Sequence, residues 1–326
     1  MGFLRRDKGG GRPRAVRLYY ASDIHGSEVL WRKFLNAADA YKADVLVMGG
    51  DVTGKVVVPL VAQPGGGFEV ELFGTRHRIT EDEREEWENR IRGNGMYPYA
   101  MMPEDVARVA ALDEEAKEHW FAEVMRETFD GWLALASERL NGNTRCFVMP
   151  GNDDPDGVEQ AIEAADKVEA CDGAIVEFDG HKMISLGYSN RTPFDSPREL
   201  DENELYERVA ALADEAGDME RCIFNLHVPP YDSTLDTAAE LTETLEVVMS
   251  GSAPKMIPVG STAVRELIEK YQPLLSLHGH VHESPGATRI GRTLCINPGS
   301  DYHTGRISGC LIQLRPDKAV HQFVTG

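Results

Sequence analysis

The amino-acid sequence predicts an α/β protein, and three observations carry this prediction. Short apolar runs typical of buried strands alternate with segments whose apolar residues recur at helical spacing. Five of the strand-like runs end abruptly in polar loops that contain Asp, Asn or His beside Gly or Pro. The 326 residues, 42% of them hydrophobic, are also enough to bury about 75% of the unfolded surface in a core.

The first ordered segment is predicted to be a β-α-β unit. Residues 16–21 form a β-prone run that stops at Ser22-Asp23-Ile24-His25-Gly26. Residues 28–41 carry apolar side chains at close to helical spacing, and residues 44–48 form a second strand pattern that ends in Gly49-Gly50-Asp51. Both predicted strands therefore end in side chains that can bind metal or move protons.

The pattern changes between about residues 54 and 145, which predicts an insertion into a single domain spanning 16–326. Two β-prone runs, 55–62 and 68–79, flank a Pro-Gly-Gly-Gly turn. One long helix is predicted from near Pro103 to about Asn141, with Gly131 as its candidate interruption and an apolar stripe that favours packing in a core. Such an insertion could be a lid over a site or the surface that joins two copies, and the pattern does not choose between them.

Three later strand-like runs again end in, or lead to, polar loops. Residues 146–149 end in Gly151-Asn152-Asp153-Asp154, and residues 222–224 lead to His227. Residues 274–277 end in His278-Gly279-His280-Val281-His282. Because α/β sheets present ligands at the ends of their strands, we expect these polar side chains to lie close together.

Charge and hydropathy exclude several classes of protein. The formal net charge of −20 repels polyanions such as duplex DNA, so a nucleic-acid polymer is not the expected partner. No run of about 18 apolar residues occurs, so no segment is predicted to span a bilayer. Residues 1–15 are basic and Gly-rich without the apolar stretch of a secretory signal, and they are predicted to be a disordered tail.

The cysteines indicate a reducing compartment. Their number is odd, their spacing is irregular and no Cys-x-x-Cys pair occurs, which disfavours both a disulfide scaffold and a thiolate zinc site. They are Cys146, Cys171, Cys222, Cys295 and Cys310. A cytoplasmic location is therefore predicted.

The polar residues at the strand ends have the donor types of a dinuclear metal site. Two ions about 3.5–4 Å apart need a bridging carboxylate with nitrogen and oxygen ligands on both sides, and phosphoryl transfer at such a centre needs no nucleophilic side chain. In an extended segment alternate side chains share a face, so His278, His280 and His282 would point the same way.

These ordered blocks resemble the calcineurin-like metallophosphoesterase superfamily, whose signature is D-x-H, G-D, G-N-H-[DE], a single H, and G-H-x-H. The matching blocks here are Asp23-Ile24-His25, Gly50-Asp51, Gly151-Asn152-Asp153-Asp154, His227 and Gly279-His280-Val281-His282. The resemblance covers residues 18 to about 300 apart from the insertion. Together with the strand order it implies a four-layer α-β-β-α sandwich, in which two mixed sheets pack face to face between flanking helices.

The resemblance also implies the metal ligands. One divalent ion would be bound by Asp23, His25, Asp51 and His282, and a second by Asp51, Asn152, His227 and His280. Asp51 would bridge the two ions, and this ligand set accepts manganese, iron or zinc. His278 is predicted to support the ligands or to pack in the core. Asn297 lies in an Asn-Pro-Gly-Ser loop that is near the metals in some family members, although the same residues also favour a simple turn.

One position departs from the family signature. Asp153 stands where family members commonly have a His that contacts the phosphate or protonates the leaving group. Two candidates for the proton donor follow, an Asp153 whose pKa is raised and His303, although His303 also fits an ordinary surface loop.

The predicted activity is hydrolysis of a small phosphodiester or phosphoanhydride by a hydroxide that bridges the two ions. Protein phosphatases of the superfamily carry an Arg in a G-D-x-V-D-R-G block, whereas this chain has Gly50-Asp51-Val52-Thr53-Gly54. Two alternatives stay open: a phosphomonoesterase, and a non-catalytic metal-binding scaffold on the same fold.

Overall fold

The computed structural model describes residues 15–242 and 244–326, so residues 1–14 of the predicted basic tail lie outside the described residues. Within the described ranges, none of the helices combines the length and the apolar character that a membrane crossing requires. The α-helices are α1 (Glu28–Ala40), α2 (Arg84–Gly93), α3 (Pro103–Ala110), α4 (Glu114–Arg139), α5 (Val158–Glu163), α6 (Glu202–Ala216) and α7 (Thr262–Tyr271).

The strands fall into three groups along the chain. Those up to the end of the predicted insertion are β1 (Val16–Ala21), β2 (Val45–Met48), β3 (Val56–Ala62), β4 (Phe68–Leu72), β5 (Thr75–Ile79), β6 (Met96–Met101) and β7 (Arg145–Val148). The central group is β8 (Glu169–Ala170), β9 (Ile175–Phe178), β10 (His181–Leu186), β11 (Ser189–Asn190), β12 (Glu199–Leu200) and β13 (Cys222–Leu226). The last group is β14 (Thr237–Ala239), β15 (Met249–Ser250), β16 (Ala253–Pro254), β17 (Met256–Pro258), β18 (Leu275–Leu277), β19 (Gly286–Ile290), β20 (Thr293–Asn297), β21 (Ser308–Arg315) and β22 (Lys318–Thr325).

Two mixed sheets of six strands form the centre of the fold. The first has the order β22-β21-β1-β2-β7-β8, and its strands β1, β2, β7 and β8 run parallel. The second has the order β19-β20-β18-β13-β10-β9, and its strands β10, β13, β18 and β20 run parallel. Each sheet therefore has one edge at which several strand carboxyl ends meet.

The two sheets pack face to face through one apolar cluster. Leu18 and Tyr20 of β1 point into it and meet side chains of the second sheet such as Ile223 and Leu275. The intervening Tyr19 of β1 points to the other side, where it joins the cluster under the helices. This alternation is the period of two that a strand buried on both faces requires.

Helices cover the outer face of each sheet. Helices α1, α4 and α5 pack on the first sheet, and α6 and α7 pack on the second. The four-layer α-β-β-α sandwich predicted from the sequence is confirmed.

The region predicted as an insertion forms its own four-stranded sheet with the order β5-β4-β3-β6. The β-prone run 68–79 is not one strand but the β4–β5 hairpin, and the strand β6 was not predicted. The predicted long helix is two helices, α3 and α4, because the carboxylate of Asp113 accepts the Ala116 amide and starts a new helix there. Gly131 does not interrupt α4. The boundaries of the insertion at about 54 and 145 stay a prediction.

Helix α4 is part of the main core, although it lies in the predicted insertion. Trp31 of α1 stacks on Trp132 of α4, and its Nε1 donates to the Trp132 carbonyl at 2.9 Å. Phe129 fills the space beside both rings. This part of the insertion therefore supports the sheet that carries the strand ends.

All five cysteines are buried thiols. Burial raises the pKa of each, to about 12 for Cys171, Cys222, Cys295 and Cys310. Five buried thiols without a disulfide partner agree with the predicted scattered, unpaired cysteines.

Replacing Phe129 by Ala should lower the free energy of unfolding by about 3–5 kcal/mol, because it leaves a cavity between α1 and α4. The control Phe194→Ala removes the same ring from an exposed loop and should change stability by less than about 0.5 kcal/mol. Urea unfolding of both variants measures the difference. Equal losses would contradict the assignment of α4 to the core.

Candidate metal centre

Three of the predicted ligands lie at the ends of neighbouring parallel strands in the first sheet. Asp23 follows β1, Asp51 follows β2 and Asn152 follows β7. The loops that carry them are joined by backbone hydrogen bonds, from the Asp23 amide to the Gly50 carbonyl and from the His25 amide to the Asp51 carbonyl, each 3.0 Å. The first sheet therefore supplies the carboxylates and the amide.

The second sheet supplies the remaining imidazoles. His227 follows β13, and His280 and His282 follow β18. The backbone amide of Gly279 donates to the His227 carbonyl at 2.9 Å, so these two loops are joined as well. The strand ends of both sheets thus meet at one place, as the sequence predicts.

Four of the ligand positions have left-handed backbone conformations. The φ angles are 58° at Asp23, 40° at His25, 50° at Asp51 and 65° at His280. Residues other than Gly rarely adopt such backbone angles. Each such residue costs of order 1–3 kcal/mol, and its conformation persists only when the surrounding structure enforces it. Strain of this kind clusters at functional sites, which supports a functional role for these residues.

The segment from His278 to His282 is not extended, contrary to the sequence-based expectation. It turns at His280, and Gly279 lies so close to the first sheet that a Cβ there would meet Asp23 Oδ2 at 2.3 Å. His278 belongs to none of the donor groups found among the described residues, and its Nδ1 lies 2.9 Å from the Leu226 carbonyl. Burial lowers the pKa of His278 to about 4, so it packs as a neutral imidazole under the site.

The predicted ligands form two groups of three donors. Asp23, His25 and His282 bring ligand atoms within 4.8 Å of one another, with His25 Nε2 3.0 Å from His282 Nε2. Asp51, His227 and His280 form the second group. Each group falls within one of the two ligand sets that the family resemblance implies, and the assignment of these residues as ligands stays a prediction.

Asn152 joins the second group through its side-chain oxygen. Its Oδ1 lies 2.7 Å from His280 Nδ1, so both atoms face the same space. His280 is held there by its backbone amide, which donates to Asp23 Oδ1 at 3.0 Å. Asp23 therefore contacts both groups.

The electrostatics of His227 follow from two buried carboxylates. Burial alone would lower the pKa of His227, but Asp51 and Asp23 outweigh it and raise the pKa to about 10. Asp51 Oδ2 lies 3.4 Å from His227 Nε2, and Asp23 Oδ1 lies 3.9 Å from it. In return, His227 and His25 hold the pKa of Asp51 well below its usual range despite burial.

The residues present fit divalent metal ions. His227 Nε2 is buried and, among the described residues, has no hydrogen-bond partner, although its Nδ1 contacts the Gly49 carbonyl at 2.8 Å. An imidazole fixed by its other nitrogen and aimed at carboxylates is the usual arrangement of a metal-binding His. Carboxylate, amide and imidazole donors are ligands that manganese, iron and zinc accept.

Asn297 lies behind the histidine loop. Its Nδ2 donates to the carbonyls of Leu235, Gly279 and Val281 at 2.9 to 3.3 Å, and its Oδ1 accepts the Gly299 amide. The side chain therefore fixes the loop that carries His280 and His282 and does not itself face the ligands. Its supporting role at a metal centre stays a prediction.

The two candidate proton donors lie in different surroundings. Asp153 is close to the ligands, with its Oδ2 4.0 Å from His25 Nδ1, and it forms a third group of donors with His25 and Asp51. The His303 side chain is 66% exposed, and its described contacts are to Asp301 and Tyr302 rather than to the ligands. The catalytic roles of both residues stay predictions.

Sequence reasoning did not single out three residues that shape the site. The Tyr302 ring packs on His25 and His282, with ring centroids 4.8 and 5.9 Å away. The Ser300 hydroxyl donates to the Asp23 carbonyl at 2.6 Å. Both lie in the loop just before the predicted His303, but no spacing rule marks them.

Asp154 is the third of these residues. Its buried carboxylate accepts the backbone amides of Gly151, Val52 and Thr53 at 2.7 to 3.0 Å. It therefore ties the loop after β2 to the loop after β7. Its position as the acidic residue that ends the G-N-H-[DE] block was the available signal.

The predicted insertion lies beside the site. The Gly54 amide donates to the Tyr97 hydroxyl at 2.6 Å, and Gly95 approaches the His25 carbonyl so closely that a Cβ would lie 2.2 Å from it. The start of β6 thus packs against the loops that carry the ligands.

Comparison with known proteins identifies the fold. No family model matches the chain. The uncharacterized protein MJ1162 of Methanocaldococcus jannaschii is 27% identical over 162 residues, which span 49% of this chain and 66% of that protein. One solved crystal structure is 17% identical with a TM-score of 0.55 and covers 94% of this chain and 98% of its own. The protein TT1561 of Thermus thermophilus is 14% identical with a TM-score of 0.49, covering 94% and 98%.

The order of the motifs, the four-layer fold and the meeting of all five blocks at the strand ends of the two sheets are consistent with one another. This chain resembles the calcineurin-like metallophosphoesterases. The resemblance rests on every block of the signature except the His that Asp153 replaces.

Metal binding by the metal-free protein should release protons at pH 8. The pKa of His227 is raised to about 10, so its imidazole is protonated at pH 8 and must lose that proton to bind an ion. The affinity for Mn²⁺ should therefore rise between pH 7 and pH 9. Calorimetry in two buffers of different ionisation enthalpy counts the protons released.

A surface variant serves as the control for this measurement. His119→Ala removes a highly exposed imidazole and should leave the proton count unchanged. A binding enthalpy that does not depend on the buffer would contradict the assignment of His227 as a ligand.

Proposed function

We propose that this chain is a dinuclear metal-dependent phosphoesterase that hydrolyses a small phosphodiester or phosphoanhydride. The observation that carries the proposal is the convergence of two groups of three donors, Asp23 with His25 and His282 and Asp51 with His227 and His280. Asp51, which follows the middle strand of the three, is the proposed bridge between two divalent ions, for which manganese, iron and zinc are the candidates.

When bound, the ions would supply an activated water as nucleophile and a Lewis acid for the phosphoryl oxygens. The chain's own residues fix this centre in space. Asp23 and Asp51 contribute their carboxylates from the first sheet. The carbonyl of Gly49 fixes the ring of His227, so that its other nitrogen faces both carboxylates. No side chain has to act as a nucleophile.

The substrate class follows from charge. The net charge of −20 disfavours a long polyanion, whereas two divalent ions leave the site itself positive enough to attract a single phosphate group. The block Gly50-Asp51-Val52-Thr53-Gly54 lacks the Arg with which protein phosphatases of the resembled family grip phosphate, so a small ester is proposed. A phosphomonoester is the alternative substrate, and pairing of two copies through the insertion stays a prediction.

A non-catalytic scaffold is the second candidate function. A scaffold needs no intact set of metal ligands, yet all seven proposed ligands are present. Six of them fall in the two groups of donors, and Asn152 contacts His280 of the second group. This retention favours an enzyme.

Metal-loaded protein should hydrolyse a bis-aryl phosphodiester faster than the matching monoester. Asp51→Asn removes the bridging carboxylate and should lower both the metal content and the turnover, the latter by at least about 100-fold. Steady-state rates with Mn²⁺, beside metal analysis of each preparation, test this. Activity that persists in Asp51→Asn would identify a contaminating enzyme, and metal binding without turnover of either ester would favour the scaffold.

The proton donor can be identified from the leaving-group dependence of two variants. A group that protonates the leaving oxygen matters most for a poor leaving group, so its loss should slow an alkyl ester at least about tenfold and a nitrophenyl ester much less. Asp153→Asn and His303→Ala are the variants to compare. If neither slows the alkyl ester, both assignments are wrong.

A further inference from the structure

A lysine from the start of the predicted insertion lies beside the candidate metal centre. Lys55 Nζ is 2.5 Å from Asp153 Oδ2, the same oxygen that lies 4.0 Å from His25 Nδ1. Its side chain is 57% exposed, whereas that of Asp153 is only 13% exposed. The ammonium therefore stands at the open side of the ligand cluster.

Asp153 is itself held in place from the opposite side. Its Oδ1 accepts hydrogen bonds from the Ser196 hydroxyl at 2.6 Å and from the side-chain Nδ2 of Asn152 at 3.2 Å. The backbone amide of Asp153 donates to Asp51 Oδ1 at 2.9 Å. These contacts leave Oδ2 to Lys55. The carboxylate thus serves as a fixed anchor for a flexible cation.

The charges explain why this pair matters. A lone carboxylate at the position of Asp153 would repel a phosphate that approaches the metal ions, which makes it a poor replacement for a His that contacts phosphate. Lys55 cancels that charge, and an ammonium has three donors, of which Asp153 occupies one. Among the residues that the structure describes, Asp153 is the one partner of Lys55, so the remaining donors can bind an anionic oxygen.

We propose that Lys55, positioned by Asp153, binds a phosphoryl oxygen of the substrate and takes over the phosphate contact that the family's His makes. Lys55 is then a substrate-binding residue, and Asp153 is a positioning residue that acts through it rather than the proton donor, for which His303 is the remaining candidate. This inference rests on the proposed phosphoesterase function.

Binding of inorganic phosphate to metal-loaded protein tests the proposal without turnover. Lys55→Ala should raise the dissociation constant for phosphate at least about tenfold, and Lys55→Arg should restore most of the affinity because it keeps the charge. Lys255→Ala is the matched control: its ammonium also lies 2.5 Å from a carboxylate, that of Glu240, and is 50% exposed. It should bind phosphate like the wild type.

The dependence of Asp153 on Lys55 is tested by a double-mutant cycle. Asp153→Asn should weaken phosphate binding in the wild-type background, because it releases Lys55. In the Lys55→Ala background the same change should cause no further loss, since it then removes only a repelling charge. Equal losses in both backgrounds would show that Asp153 acts directly and would overturn its positioning role.

Two outcomes separate the inference from the function on which it rests. Wild-type affinity for phosphate in Lys55→Ala would overturn the Lys55 proposal and leave the phosphoesterase proposal standing. Wild-type protein that binds metal but no phosphate would contradict both.

Discussion

Two buried carboxylates facing one buried imidazole are the constraint on which the site depends. Asp23 and Asp51 are 1% and 2% exposed, and His227 between them is fully buried. Isolated charges in such a place would cost several kcal/mol each, so the arrangement needs positive charge to balance it. A proton on His227 supplies part of that charge in the metal-free protein, and divalent ions would supply more. The same electrostatic demand therefore accounts for the raised pKa of His227 and favours the binding of a divalent ion.

The loops around this centre hold conformations that the backbone would not otherwise choose. Left-handed angles at Asp23, His25, Asp51 and His280 are kept by interlocked hydrogen bonds between loops of both sheets and by the carboxylate of Asp154. Because each sheet contributes predicted ligands, this cluster of side chains forms only when the two sheets are packed together. Apolar packing at the centre of the sandwich thus stabilises the strained loops.

The strand ends, and the clustering of the polar side chains that follow them, could be predicted from the sequence because both depend on local pattern. Short apolar runs ending in Asp23, Asp51 or His227 mark buried parallel strands, whose carboxyl ends must share an edge. The break at Asp113 was missed because apolar spacing continues across it while a cap restarts the helix. The turn at His280 was missed because it depends on contact with the other sheet. Lys55 and Asp153 lie about a hundred residues apart, and no periodicity could have joined them.

The five buried thiols give the molecule a built-in reporter of its own unfolding. A thiol that is shielded from solvent and disfavoured as a thiolate reacts with alkylating reagents only after the structure around it opens. These cysteines lie in both sheets and in the clusters on each side of them, so no local fraying at an edge exposes them all. The rate at which all five become labelled would therefore follow global opening of the sandwich, and a single cysteine introduced on the surface could be labelled selectively in the native protein.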